Sequence, residues 1–217
     1  ISNPQTSSDL VSTRPDVIFH LAAIVSGQAE QEFDLGWNIN ARGSWGLFEA
    51  IRHLGDDYCP RVVFTSSIAV FGAPFPDKIP DDFFTTPLTS YGAQKAISEL
   101  LLADYSRKGM IDGVSIRLPT ICVRPGKPNL AASGFFSGII REPLNGKEAI
   151  LPVSTEVRHW HATPRSAAGF LIHASEIDTS TLNNRITLNM PGLSVTVQEQ
   201  IDSLKRVAGN DVAKLIK

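Results

Sequence analysis

The chain has 217 residues, 42% of them hydrophobic and 19% charged, with a formal net charge of −2. That composition suits a globular protein with a sizeable core, and the lack of a strongly basic block leaves nucleic-acid and membrane-surface binding without electrostatic support. No run of roughly 18 apolar residues occurs, so no bilayer-spanning helix is expected; Cys59 and Cys122 lack metal or redox spacing and are expected to be reduced, buried thiols of a cytoplasmic protein.

Along the chain, Asn3-Pro4 marks a helix start, a capping side chain followed by proline at the first helical position, and that helix should stop before Pro15. Asp16 to Ala23 (DVIFHLAA) is a short, nearly continuous apolar run, the signature of a strand buried on both faces. A long helix is expected from about Gln31 to Leu54, because Phe33, Trp37, Ser44, Leu47, Phe48, Ile51 and Leu54 recur at three- and four-residue spacing, with Gly55 as its cap. Arg61 to Ser67 (RVVFTSS) repeats the buried-strand pattern. A Pro- and Asp-rich loop, Ala73 to Pro87, leads to a helix starting near Ser90, and Gly113 to Thr120 is a third buried strand.

Helix, strand, helix, strand, helix, strand predicts a doubly wound parallel α/β sheet, in which a ligand lies beyond the carboxyl ends of the strands. Those ends are Ala22-Ala23, Ser66-Ser67 and Pro119-Thr120, all small or polar. Beyond Ile121 the pattern changes. Arg124 to Ser133 reads as a loop, with helices expected near Phe135–Leu144, Pro164–Ser175 and Thr196–Ala208 and strands near Ala149–Val153 and Arg185–Asn189. Residues 1–123 are thus expected to form the sheet domain, and residues 124–217 mainly a smaller lobe with some elements returning to the sheet.

The chemistry-bearing segment is Tyr91-Gly92-Ala93-Gln94-Lys95. On a helix, i and i+4 share a face, so Tyr91 and Lys95 can approach one substrate region. A free phenol titrates near pH 10; making it a base at neutral pH means a shift of roughly three units, about 4 kcal/mol of differential stabilisation. A neighbouring ammonium and an oxidised nicotinamide ring are able to supply it. Tyr-x-x-x-Lys alone also describes an ordinary surface pair, so its context matters. Upstream stands Thr65-Ser66-Ser67-Ile68-Ala69-Val70-Phe71-Gly72, at the end of a buried strand.

In these two segments, and in His20-Leu21-Ala22-Ala23, Asn40 and Arg117-Leu118-Pro119-Thr120, the chain resembles the extended short-chain dehydrogenases/reductases, the NAD-dependent epimerase/dehydratase family. The order and spacing agree over most of Asp16 to Gly126. The resemblance implies a Rossmann-like fold and a reaction centre of Ser67, which hydrogen-bonds the reacting oxygen, Tyr91, which exchanges the hydroxyl proton, and Lys95, which lowers the Tyr91 pKa and holds the nicotinamide ribose. It further implies a cofactor surface of Leu21, Ala22, Ala23, Asn40, Ser66, Tyr91, Lys95, Pro119, Thr120 and Ile121. Phe71 replaces the family's tyrosine and is expected to pack. Asn40 is either a satisfied polar group within helix packing or an organiser of backbone near the site.

Leu118 to Asn129, Ala132 to Phe135, Ile139 to Leu144 and Pro164 to Ala167 resemble the sugar-acid dehydrogenases of that family. They imply a small-molecule partner, a four-carbon sugar acid oxidised at its C2 hydroxyl, with a nucleotide-sugar epimerase as the alternative on the same scaffold. The substrate would meet Ser26, Ser67 and Tyr91. Its carboxylate asks for a guanidinium, Arg165 first and Arg158 second. His159-Trp160-His161 lacks a carboxylate or cysteine partner at ligand spacing, so no metal is expected, and His20 should be a buried, hydrogen-bonded histidine. A homodimer is left open.

No Gly-x-x-Gly-x-x-Gly loop and no residue separating NAD from NADP occurs. NAD is expected, with NADP left open. The resemblance then implies that the chain lacks the family's first strands and is a fragment, expected to have an unpaired apolar sheet edge, low stability and weak or absent cofactor binding. An inactive truncated form is the third functional reading.

Overall fold

The computed structural model describes residues 1–217, the side chain of Pro4 excepted. The chain divides into two compact units, Ile1–Leu118 with Gly169–Met190, and Pro119–Ala168 with Pro191–Lys217.

The first unit is built on a parallel sheet of β1 (Val17–His20), β2 (Arg61–Ser67), β3 (Asp112–Leu118) and β6 (Thr187–Asn189), in the order β1-β2-β3-β6. The apolar run in β2 explains its central place, since Val62, Val63 and Phe64 are all fully buried, as a strand covered on both faces requires. Its helices are α1 (Pro4–Ser12), α2 (Ser26–Gln31), α3 (Phe33–Gly36), a π-helical turn (Trp37–Arg42), α4 (Gly43–Arg52) and α5 (Ser90–Arg107). One core joins Val11 of α1, Leu47, Phe48 and Ile51 of α4 and Leu102 of α5 to Ile18, Val62 and Phe64 of the sheet. Side chains alternate across a strand, so Ile116, next to the partner of Phe64, faces the other way. There it lines a cavity with Phe170, His173 and Ala174 of α7 (Pro164–Glu176) and Leu188 of β6. Helices therefore cover both faces, as a doubly wound sheet demands.

The second unit holds a three-stranded sheet of β4 (Thr120–Ile121), β5 (Arg158–Ala162) and β7 (Leu193–Thr196). β4 runs parallel to β5 and β7 antiparallel to it. Phe136 and Ile139 of α6 (Gly134–Leu144) and Val197 and Ile201 of α8 (Val197–Ala208) form its core, and α9 (Asn210–Ala213) follows. Thr196 and Glu199 close a reciprocal cap at the start of α8. No helix among the described residues is long and apolar enough to cross a membrane.

Several sequence expectations change. The helix expected from Gln31 to Leu54 begins earlier, at Ser26, and is broken at Glu32, whose φ of −119° and ψ of 71° lie outside the helical region. No strand forms over Ala149–Val153; the segment has one isolated bridge, Ala149 to Ile216. The strand expected to run through Thr120 stops at Leu118. Pro119 has no N–H for the ladder, and Thr120 pairs in the other sheet. β5 and β7, half-exposed and mixed in polarity, carry no apolar run and gave no strand signal.

Candidate active site

The tips of β2 and α5 meet through a short, tight connection. After Ser67 the chain makes a single turn of 3₁₀ helix, Ile68–Val70, and the Ser67 hydroxyl accepts the Ala69 N–H at 3.1 Å. At the head of α5, Thr89 is the N-cap, its hydroxyl accepting the Gly92 N–H at 3.1 Å, and Glu30 accepts the Ser90 N–H at 2.9 Å. Gly92 lies so close to the turn that a Cβ there would stand 2.1 Å from the Ala69 carbonyl oxygen. Only glycine permits this approach, and the approach brings Tyr91 beside the Ser67 side chain.

Lys95, one turn further along α5, is only 2% exposed. Its ammonium donates to the Thr65 carbonyl at 2.6 Å, 4.6 Å from the Phe64 ring centre and 5.8 Å from that of Tyr91. The structure thus brings Ser67, Tyr91 and Lys95 together at one strand tip. Burial pushes the Tyr91 phenol up and the neighbouring Ser67 side chain opposes that rise, while the Lys95 ammonium is held by the Thr65 carbonyl and lies against ring faces. Burial also lowers Lys95 to about 8, with the Glu99 carboxylate acting against that fall.

Asn40, buried in the π-helical turn, organises backbone. Its Oδ1 accepts the Ile24 N–H at 2.9 Å, and its Nδ2 donates to the Ile24 carbonyl at 3.2 Å and to Gln94 Oε1 at 2.8 Å. The loop after β1 is thereby pinned to α5, with Leu21, Ala22 and Ala23 exposed on it and Ser26 half-buried at the start of α2. Ser66, counted with the cofactor surface, turns inward: it is buried and its hydroxyl donates to Glu99. Neither Asn40 nor Ser66 has a side chain open to a cofactor, since both are spent on protein partners.

The remaining candidates belong to the second unit. Thr120 is hydrogen-bonded to His159 Nε2 at 2.7 Å, beside buried Pro119 and half-buried Ile121. Arg158 donates to the Ser194 carbonyl at 2.9 Å and lies 3.5 Å from Glu199, so its guanidinium is already engaged. Arg165, exposed in the first turn of α7, has no ion-pair partner among the described residues. His159 stacks on Phe136 and His161 meets it edge-on, and no cluster of three metal-ligating side chains occurs among the described residues. His20 is buried with Nε2 2.8 Å from Ser44 Oγ, and Phe71 packs under Arg117 and against Phe83. Sequence reasoning passed over Gln94 and Glu99. Their signal was the helical spacing itself, since Glu99 follows Lys95 by four residues, as Lys95 follows Tyr91.

A parallel sheet covered on both faces, with Ser67, Tyr91 and Lys95 together at the carboxyl end of its central strand, defines a doubly wound, Rossmann-like α/β protein. Residues 1–178 match the NAD dependent epimerase/dehydratase family, and the chain belongs to it. It is 52% identical, over 98% of its length, to D-erythronate dehydrogenase of Cupriavidus necator, and 45% identical, over 99%, to D-erythronate dehydrogenase of Haemophilus influenzae. It covers 65% and 67% of those proteins, so it spans about two thirds of the length of the curated relatives it matches. Among solved structures it superposes, with a TM-score of 0.95 and 64% identity, on the crystal structure of the nucleoside-diphosphate-sugar epimerase from Agrobacterium tumefaciens, matching 100% of this chain and 64% of that one.

Proposed function

We propose that the protein carrying this chain is an NAD-dependent dehydrogenase of a small sugar acid, with D-erythronate as the reference substrate. The observation that carries the reading is the gathering of Ser67, Tyr91 and buried Lys95 at the tip of β2, in a chain about half identical to two proteins named for that activity.

The residues present suit the nicotinamide half of a dinucleotide. Exposed Leu21, Ala22 and Ala23 leave the strand tip uncrowded, the Asn40 amide holds the Ile24 backbone steady beside them, and Lys95 offers a cation. Pro119, Thr120 and Ile121, directly after β3, are further candidates for that surface. NAD, when bound, would take the hydride leaving the substrate carbon and bring a positive ring to the site. Ser67 then hydrogen-bonds the substrate hydroxyl. As the C2–H bond breaks and the carbonyl forms, the hydroxyl proton passes to Tyr91 Oη. Burial raises the Tyr91 phenol, so proton acceptance needs a positive charge in the site, and Lys95 shares that task. For the carboxylate, unpaired Arg165 is the stronger candidate than Arg158. Two free thiols, Cys59 exposed and Cys122 half-buried rather than both buried as expected, suit a cytoplasmic location.

A second reading has its own support, since the solved relative at 64% identity is titled an epimerase. The two differ in where the hydride ends. A dehydrogenase accumulates NADH in stoichiometry with product, whereas an epimerase returns the hydride and accumulates none. The assay is NADH absorbance after mixing the protein carrying this chain with NAD and D-erythronate, or with UDP-sugars. We expect a steady rise with D-erythronate alone; inversion of a UDP-sugar without net NADH would overturn the assignment.

A further inference from the structure

Lys95 presents an electrostatic problem. A lysine 2% exposed in a pocket of phenyl rings has lost most of its hydration. Its one hydrogen-bond acceptor is the neutral Thr65 carbonyl, and no carboxylate forms an ion pair with it among the described residues. The charged and titratable groups around it come from every neighbouring element. They are His20 of β1, held neutral by burial; Tyr91 of the same helix, uncharged; Arg117 of β3, a cation; and Glu99, the single anion, one turn further along α5.

Glu99 itself is 4% exposed and fully engaged. Arg117 reaches it with two nitrogens, Nε to Oε1 at 3.0 Å and Nη2 to Oε2 at 2.8 Å, while the Ser66 hydroxyl donates to Oε1. One carboxylate therefore ties α5 to β3 through Arg117 and to the tip of β2 through Ser66, the residue immediately before Ser67. We propose that Glu99 is a positioning residue of the site: it locks the Ser67 strand tip and the Lys95 helix turn in register, and supplies the buried negative charge that keeps Lys95 an ammonium. This rests on the dehydrogenase reading only for its catalytic meaning; the geometry stands apart from it. The direction of the Lys95 electrostatics agrees, since burial lowers Lys95 and Glu99 opposes the fall.

The experiment is a pH titration of Lys95 by NMR on lysine-labelled protein, its signal assigned by its loss in Lys95→Met. Glu99→Gln alone strands the buried Arg117 charge and risks unfolding. The informative comparison is therefore Glu99→Gln with Arg117→Met against Arg117→Met alone, since removing Arg117 by itself takes a cation away from Lys95, and Glu99→Asp serves as the conservative variant. We expect Lys95 to titrate about one unit lower in the double variant than in Arg117→Met, and at the wild-type midpoint in Glu99→Asp. A double variant that melts earlier but titrates Lys95 at the Arg117→Met midpoint would show Glu99 to be a structural tie alone and overturn the proposal. Because this readout needs no turnover, failure of the D-erythronate assay leaves it intact, and the two ideas can fail separately.

Discussion

Two side chains set the pH behaviour of the site. In the proposed reaction Tyr91 takes the proton of the substrate hydroxyl, since Ser67 Oγ already accepts from Ala69 and Lys95 donates to Thr65. Tyr91→Phe keeps the ring and removes the acid–base oxygen. We expect kcat to fall by about 10²-fold or more, the usual size of a general acid–base contribution, with cofactor affinity unchanged by calorimetry. A Phe variant with wild-type kcat would remove Tyr91 from the chemistry. His20 governs acid stability. Ser44 Oγ donates to the Asn40 carbonyl at 2.6 Å, which leaves it to accept from His20 Nε2–H and keeps the ring in that tautomer. Burial, aided by Lys95, lowers His20 from 6.5 to about 3. Unfolded His20 therefore binds a proton throughout a window in which folded His20 stays neutral. Stability is present above 6.5 and is lost as pH falls toward 3, by something on the order of 5 kcal/mol over the whole window. The thermal midpoint should drop steeply across that range, and His20→Phe should flatten the drop, since Ser44 keeps its bond to Asn40.

At the scale of elements, the site depends on how closely α5 meets the turn after β2. Gly92 is the contact point, and its role is absence of a side chain rather than backbone freedom. Gly92→Ala would drive a methyl to 2.1 Å from the Ala69 carbonyl, far inside contact distance, so helix or turn must shift. Overpacking of this kind typically costs about 1–3 kcal/mol. The displacement also separates Tyr91 from Ser67. We expect a lower midpoint in denaturant together with a loss of kcat larger than stability alone explains; equal stability and full activity in Gly92→Ala would mean that the two elements are not held against each other as described. The π-helical turn before α4 has a comparable positioning role. It places Asn40 where one side chain can pin Ile24 and Gln94 at once, and such bulges recur at functional sites.

For the molecule as a whole, the most consequential surface is the edge of the sheet in the first unit. β1 pairs with β2 and, among the described residues, with nothing on its other side. Val17 and Phe19 point to the face opposite the helical core, and Phe19 is 42% exposed. An unpaired strand with exposed apolar side chains invites edge-to-edge association. The chain by itself is expected to self-associate as its concentration rises, and Phe19→Lys, which puts a charge on that edge, should suppress the effect in light scattering. Identical scattering from both forms would show that the edge is not the sticky surface.

Much of this was written in local sequence. Continuous apolar runs marked β1, β2 and β3, and helical spacing put Tyr91 and Lys95 on one side of α5; β2 and β3 are covered on both faces, but β1, expected to be so, is buried only on the side of Ile18 and His20, with Val17 and Phe19 exposed. Those features follow from backbone geometry and solvent exclusion acting over a few residues. Local pattern could not reveal that Thr120 leaves one sheet for another, that β5 and β7 are strands despite mixed polarity, or that Ser66 faces inward while Ser67 faces the site. Nor could it reveal that a carboxylate four residues past Lys95 would be held by an arginine 18 residues later in the chain. These are decided by pairing between distant segments, where the partner supplies the hydrogen bond, the counter-charge or the dry environment, and none of those is a property of the residue that receives it.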